Sequence, residues 1–188
     1  ISMGRVLSLK GFHLGLRALA GAAIPDAEYW ILGDGPERTN LKDLAAQLKI
    51  SHRVHFFGSL PRNKALEKLG ECHTLVHPSL HDSGGWVCLE AMAAGRPVVC
   101  LDLGGPATQV TKDTGFKIPA ITPNQVVADM AKAMIQLAKD PFLREQMGKA
   151  GRELVAREHS WDRKGEILHR LYAEATGVKK TVNVINGF

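Results

Sequence analysis

Short apolar, β-rich runs at residues 28–32, 54–57, 74–77, 97–101 and 115–118 alternate with stretches whose apolar residues recur at helical spacing. The helical patterns cover residues 12–23, 37–49, 63–70, 86–94 and 125–139, several of them preceded by Pro, Asp or Asn as start signals. This alternation predicts an α/β fold, an open parallel sheet of Rossmann-like type with helices on both faces. Ligands of such sheets sit at the carboxyl ends of the strands, so the strand-to-helix turns are where function is to be sought.

The ends of the chain fit the same frame. Residues 1–3 read as part of a first strand that leads at once into Gly4-Arg5, which predicts further chain upstream. Residues 142–156 and 161–175 read as two closing helices, with Pro141 just inside the first and Ser160 as N-cap of the second. At 188 residues the chain is long enough for one sizeable core. Residues 1–176 are expected to form one ligand-binding domain and residues 177–188 a C-terminal tail.

Composition narrows the partners. No apolar run approaches the roughly 20 residues that span a bilayer, and there is no basic segment leading into an apolar one at the N-terminus. Cys72, Cys88 and Cys100 are odd in number and lack CxxC spacing, so neither a disulfide framework nor a zinc knuckle is expected. A reducing, cytoplasmic setting fits. The net charge of +5 admits nucleic acid, an anionic membrane surface or a phosphorylated ligand. Lys and Arg are scattered without interleaved aromatics, which argues against nucleic acid. Membrane-surface association is expected only through a longer protein.

The most informative stretch runs from His77 to Pro97: a strand, a loop with Asp82-Ser83-Gly84-Gly85, a helix opening on Trp86-Val87 and carrying Glu90, and a Gly95-Arg96-Pro97 exit. Gly84 and Gly85 let the backbone approach a ligand, and the helix N-terminus offers unpaired amides to a diphosphate. Glu90, expected within about the first turn and facing the same crevice, is an acceptor for the paired hydroxyls of a ribose. Equally, Asp82 or Ser83 can cap the helix and Glu90 can be a solvated acid that suits its dipole.

The whole string resembles the retaining glycosyltransferases of family 4, with Asp82, seven residues, Glu90, and then Ala91-Met92-Ala93-Ala94-Gly95-Arg96-Pro97-Val98-Val99. Gly4-Arg5-Val6, Lys10-Gly11, Gly33-Asp34-Gly35-Pro36, residues 54–58, Gly104-Gly105-Pro106, Thr114-Gly115-Phe116 and His159-Ser160-Trp161 recur in that family's order. The resemblance implies one half of a two-domain GT-B enzyme, holding a nucleoside diphosphate-sugar as substrate across an interdomain cleft. It implies that Arg5 and Lys10 stabilise the leaving diphosphate, and that Asp82, Ser83, Gly84, Gly85, Trp86, Val87 and Glu90 bind the donor. The turn Phe57-Gly58-Ser59-Leu60 would face the base. No metal or other cofactor is expected. The acceptor-binding N-terminal domain would be the partner half, and this half alone is expected to be inactive. A sugar-nucleotide epimerase or phosphorylase half, or a non-catalytic binding module, are the alternatives.

Some features leave room for plainer readings. Arg5 and Lys10 can be surface charge, although the edge they occupy suits a guanidinium fork and an ammonium on phosphate. Asp82 stands where the family has Glu, and Ser83-Gly84-Gly85 where it has Gly-Phe-Gly, so sugar contacts are expected to differ. Gly33-Asp34-Gly35 lacks the third glycine of a dinucleotide fingerprint and reads as a turn that starts a helix. His77, His81, Asp82 and Cys88 lie close enough in sequence to be weighed as metal ligands, a minor alternative. Trp30, Trp86 and Trp161 are expected in the core or lining the cleft.

Overall fold

Every strand in this chain is followed by a helix, and a strand that returns by a helical crossover pairs in parallel. The computed structural model describes residues 1–177 and contains six strands: β1 (Ser2–Met3), β2 (Tyr29–Leu32), β3 (Val54–Gly58), β4 (Leu75–His77), β5 (Val98–Leu101) and β6 (Gly115–Ile118). The pairs β1–β2, β2–β3, β4–β5 and β5–β6 are all parallel. The two three-stranded groups meet at a seam where the Val76 amide donates to the Ile1 carbonyl at 2.8 Å. Ser2 Oγ donates to the Val76 carbonyl across the same seam, and its lone pair takes the Tyr29 hydroxyl at 2.7 Å. The resulting order is β3-β2-β1-β4-β5-β6. Its turning point is the β1/β4 seam, and the carboxyl ends of those two strands frame the crevice where such sheets take ligands.

The interior strand β5 is buried along its whole length, which is why it reads as the unbroken apolar run Val98-Val99-Cys100-Leu101. Alternate residues serve opposite faces. Val99 and Leu101 join the core that α1 (Phe12–Ala22), α2 (Arg38–Gln47) and α6 (Pro123–Lys139) cover, with Leu16, Leu19, Ile31 and Met130. Val98 and Cys100 join Leu69, Leu75, Cys88 and Met92 beneath α3 (Arg62–Glu71), α4 (Trp86–Ala93) and α7 (Pro141–Glu158). Helices on both faces are therefore as the sequence predicts.

Helix boundaries shift for local reasons. Thr122 accepts from the Gln125 amide and Pro123 occupies the first turn, so α6 begins two residues before the predicted 125. Lys49 turns into the left-handed region at φ 58°, which ends α2 short of residue 49. A six-residue helix, α5 (Gly104–Gln109), was not predicted; two glycines and a proline in six residues leave no periodicity to read. Ser160 caps α8 (Trp161–Thr176) as predicted, accepting from the Arg163 amide. Trp161 is neither core nor lining: it is 83% exposed, because α8 touches the rest of the described chain chiefly along α7. The tail expected at 177–188 lies, apart from Gly177, outside the described residues. No helix among the described residues is long and apolar enough to cross a membrane.

Candidate functional site

The loops after β1 and β4 are bound to each other. The Leu80 amide donates to the Leu9 carbonyl at 2.9 Å, and Lys10 Nζ lies 2.7 Å from Asp82 Oδ2. Lys10 ends a 3-10 turn, Ser8–Lys10, and Arg5 sits earlier on the same loop, exposed and without a side-chain partner among the described residues. The β1 loop is held from its other side by β2: the Gly4 amide donates to Leu32 and the Val6 amide to Asp34, each at 2.9 Å. Gly33-Asp34-Gly35 is thus a turn that braces the Arg5 loop as well as leading into α2.

Asp82 is the hub of the site. Its Oδ1 accepts the Gly85 amide at 2.9 Å, while Oδ2 faces both Lys10 and His77 Nε2, the latter at 3.1 Å. Burial alone would raise the Asp82 carboxyl. The Lys10 and Gly85 hydrogen bonds and the Lys10 charge, with a smaller contribution from the His77 ring, outweigh that and bring its pKa down to about 2. The folded value is thus depressed, so the carboxylate stabilises the fold above the unfolded value of about 4 and that contribution is lost as pH falls toward 2. Acid melts should therefore show a steeper fall in wild-type stability between about pH 4 and 2 than in Asp82→Asn. Parallel curves over that window would mean that Asp82 gains nothing from its partners.

The glycine loop is packed more tightly than a ligand cradle needs. Gly85 has φ 56°, and a Cβ there would lie 2.6 Å from Gln109 Oε1 and 3.0 Å from the Pro106 nitrogen. Its lack of a side chain is therefore set by the close approach of α5, in addition to any ligand. The Gly105 amide donates to the Asp82 carbonyl at 2.8 Å and Gln109 Nε2 to the Gly84 carbonyl at 2.5 Å, so α5 holds the loop from behind. Ser83 is exposed, Val87 half-buried, and Trp86 is 67% exposed at the head of α4. The amides of Trp86 and Val87 have no acceptor among the described residues, as expected of a helix start left open to an anion.

Glu90 departs from the expectation. It is the fifth residue of α4, in the second turn, and its Oε1 is paired with Arg62 Nη1 at 2.7 Å. The turn expected to face the base is split in role. Phe57 packs its ring on Trp30 with centroids 5.3 Å apart, and Leu60 packs against the same core, whereas Ser59 is exposed. Gly58 belongs to β3 and accepts the Gly33 amide. Sequence reading missed Arg62 and Gln109, whose parts depend on contacts with distant segments. It also took His77 only as a metal alternative, when the residue faces Asp82.

Two cavities, of about 510 and 500 Å3, open at the opposite edge of the sheet, against Tyr29, Thr74 and Pro97 near the starts of the strands. Neither is lined by Lys10, Asp82 or Glu90. Volume favours that edge, and the second cavity there also carries Arg96, Arg144, Lys149 and Arg152; strand polarity and the open amides favour the other. The carboxyl ends of the strands, where such sheets take ligands, are therefore the candidate site.

Residues 1–154 match the model of the family described as glycosyl transferases group 1. The chain belongs to that family. Among relatives of this group 1 domain, the 2-deoxystreptamine glucosyltransferase of Streptomyces kanamyceticus is 32% identical over 83% of this chain and 40% of its own. A GDP-mannose-dependent mannosyltransferase of Corynebacterium glutamicum, acting on a monoacylated phosphatidylinositol monomannoside, is 34% identical over 78% of this chain and 39% of its own. The domain thus spans less than half the length of these relatives. Sucrose-phosphate synthase from Thermosynechococcus elongatus superposes with a TM-score of 0.80 at 26% identity, over 95% of this chain and 46% of that one. Anabaena Alr3699/HepE, solved in complex with UDP, has a TM-score of 0.77 at 22% identity, over 92% of this chain and 48% of that one. The group 1 domain has the fold of one half of a GT-B glycosyltransferase.

Proposed function

We propose that this domain binds a nucleoside diphosphate-sugar at the β1/β4 crevice, and that the full-length protein transfers the sugar to an acceptor with retention. The observation that carries the reading is Lys10 held on Asp82 at the turning point of the sheet, with Arg5 on the same loop as Lys10 and the open amides of Trp86 and Val87 on the helix that follows Asp82. Two cations and a helix N-terminus complement a diphosphate, and their field strengthens as charge develops on the departing group. The chain's own groups can supply that field. Arg62 holds Glu90 in the free domain; as a 76% exposed partner it is released to solvent at little cost, leaving Glu90 for the ribose hydroxyls.

The reading also explains why the crevice is an open edge: the acceptor-binding half would close it in the complete protein. Binding by this chain of one member of a panel of UDP, GDP, ADP and their sugars, without transfer to acceptors, is the expected result. Failure to bind any of them would overturn the proposal. Within that panel, Glu90→Gln should weaken the nucleotide by about 1.5–3 kcal/mol and spare its 2′,3′-dideoxy analogue. Equal losses for both would remove Glu90 from the ribose.

A further inference from the structure

Asp82 lies on a loop that contains two glycines, and Lys10 reaches it on a flexible four-carbon stem. α5 holds the loop's backbone and the Gly85 amide takes Asp82 Oδ1, but Oδ2, which faces Lys10, needs a rigid anchor of its own. His77 offers that anchor. It is the last residue of β4, its side chain is 2% exposed, and its Nε2 lies 3.1 Å from Asp82 Oδ2. We propose that His77 is a positioning residue for the diphosphate site: an Nε2–H donated from the strand fixes the Asp82 carboxylate, which in turn sets Lys10 and the Gly85 amide in place. This rests on the reading of the crevice as the donor site.

The proton assignment follows from the partners. An ionised carboxylate only accepts, so Nε2 must carry the hydrogen. Nδ1, buried and without a partner, is then the lone-pair nitrogen. Burial lowers the His77 pKa and the Lys10 charge adds to that, against the opposing pull of Asp82, so the ring is held neutral. A neutral donor adds no third charge to the Lys10–Asp82 pair, leaving that pair balanced beside the incoming anion. Were His77 only a core residue, an apolar side chain of similar size would replace it without consequence for Asp82.

Two substitutions separate these roles in the chain as it stands. His77→Leu keeps bulk and removes the donor, whereas His77→Gln places an amide N–H near the position of Nε2. In His77→Leu the Asp82 carboxyl, followed by 13C NMR, should titrate above its wild-type value of about 2. The nucleoside diphosphate bound best among UDP, GDP and ADP should weaken about tenfold, its nucleoside being unaffected. His77→Gln should recover most of both. An unmoved Asp82 titration in His77→Leu, or a glutamine variant no better than leucine, overturns the proposal. Should the leucine variant not fold, 15N shifts of wild-type His77 decide: a proton on Nε2 supports it and one on Nδ1 overturns it. Lys10→Ala binding diphosphate as wild type does would sink the donor reading instead, and the Asp82 titration still judges His77.

Discussion

Lys10→Ala is expected to cost about 3 kcal/mol in affinity for a nucleoside diphosphate, the upper end for a charge-assisted hydrogen bond, and almost nothing for the nucleoside. The size follows from what remains. Lys10 and Asp82 are only 20% and 17% exposed, so their pairing is not a screened surface contact. Removing the ammonium takes away an attraction and also leaves the Asp82 carboxylate uncompensated beside the ligand's own negative charge. Arg5→Ala leaves no such orphan, since Arg5 has no ion pair among the described residues, and should cost about 1.5 kcal/mol. Lys10→Ala combined with Asp82→Asn should recover part of the loss, a coupling that independent sites do not show. Calorimetric titration with diphosphate and nucleoside measures each arm. Equal losses for the two ligands would show that the cations act on the base or on folding.

The fold was legible where one residue's environment is set by its own neighbourhood. The run at 97–101 is apolar throughout because both faces of β5 are covered, and Ser160 caps the helix that begins beside it. The site was legible as a set of residue types at the ends of strands, not as a set of contacts. Glu90 reads as a free carboxylate until α3, nearly thirty residues upstream, brings Arg62 to it. Gly85 reads as a glycine for a ligand, and its Cβ position is also closed by Pro106 and Gln109 from the following unit. His77 reads as the polar end of an apolar strand. Only the return of the loop shows that the residue five positions later is its partner. The Arg62 and Gln109 contacts are long-range and the His77–Asp82 contact depends on a loop's return, and periodicity contains neither.

Gly11→Ala tests whether the joining of the β1 and β4 loops builds the site. Gly11 has φ 64°, ends the Ser8–Lys10 turn and opens α1, and a Cβ there would collide with the Pro78 carbonyl oxygen. An alanine in the left-handed region costs about 1–2 kcal/mol, and overpacking against a backbone group about 1–3 more. A loss of about 2–5 kcal/mol is therefore expected, or roughly 5–20 °C in melting temperature for a domain of this size. The collision lies between the two loops that Leu9–Leu80 and Lys10–Asp82 hold together, so diphosphate affinity should fall as well. Gly21→Ala is the control in the same helix. It has open space at its Cβ and an ordinary backbone, so alanine there should be neutral or stabilise by about 0.4–1 kcal/mol. If Gly11→Ala melts with wild type and binds diphosphate as well, the two loops are not clamped at this point. Lys10 would then owe its position to Asp82 alone. If it is destabilised yet keeps full affinity under conditions where it remains folded, the clamp serves the fold and not the ligand. Loss of both places the diphosphate site on the seam between β1 and β4, where the backbone of one loop leaves room for no side chain on the other.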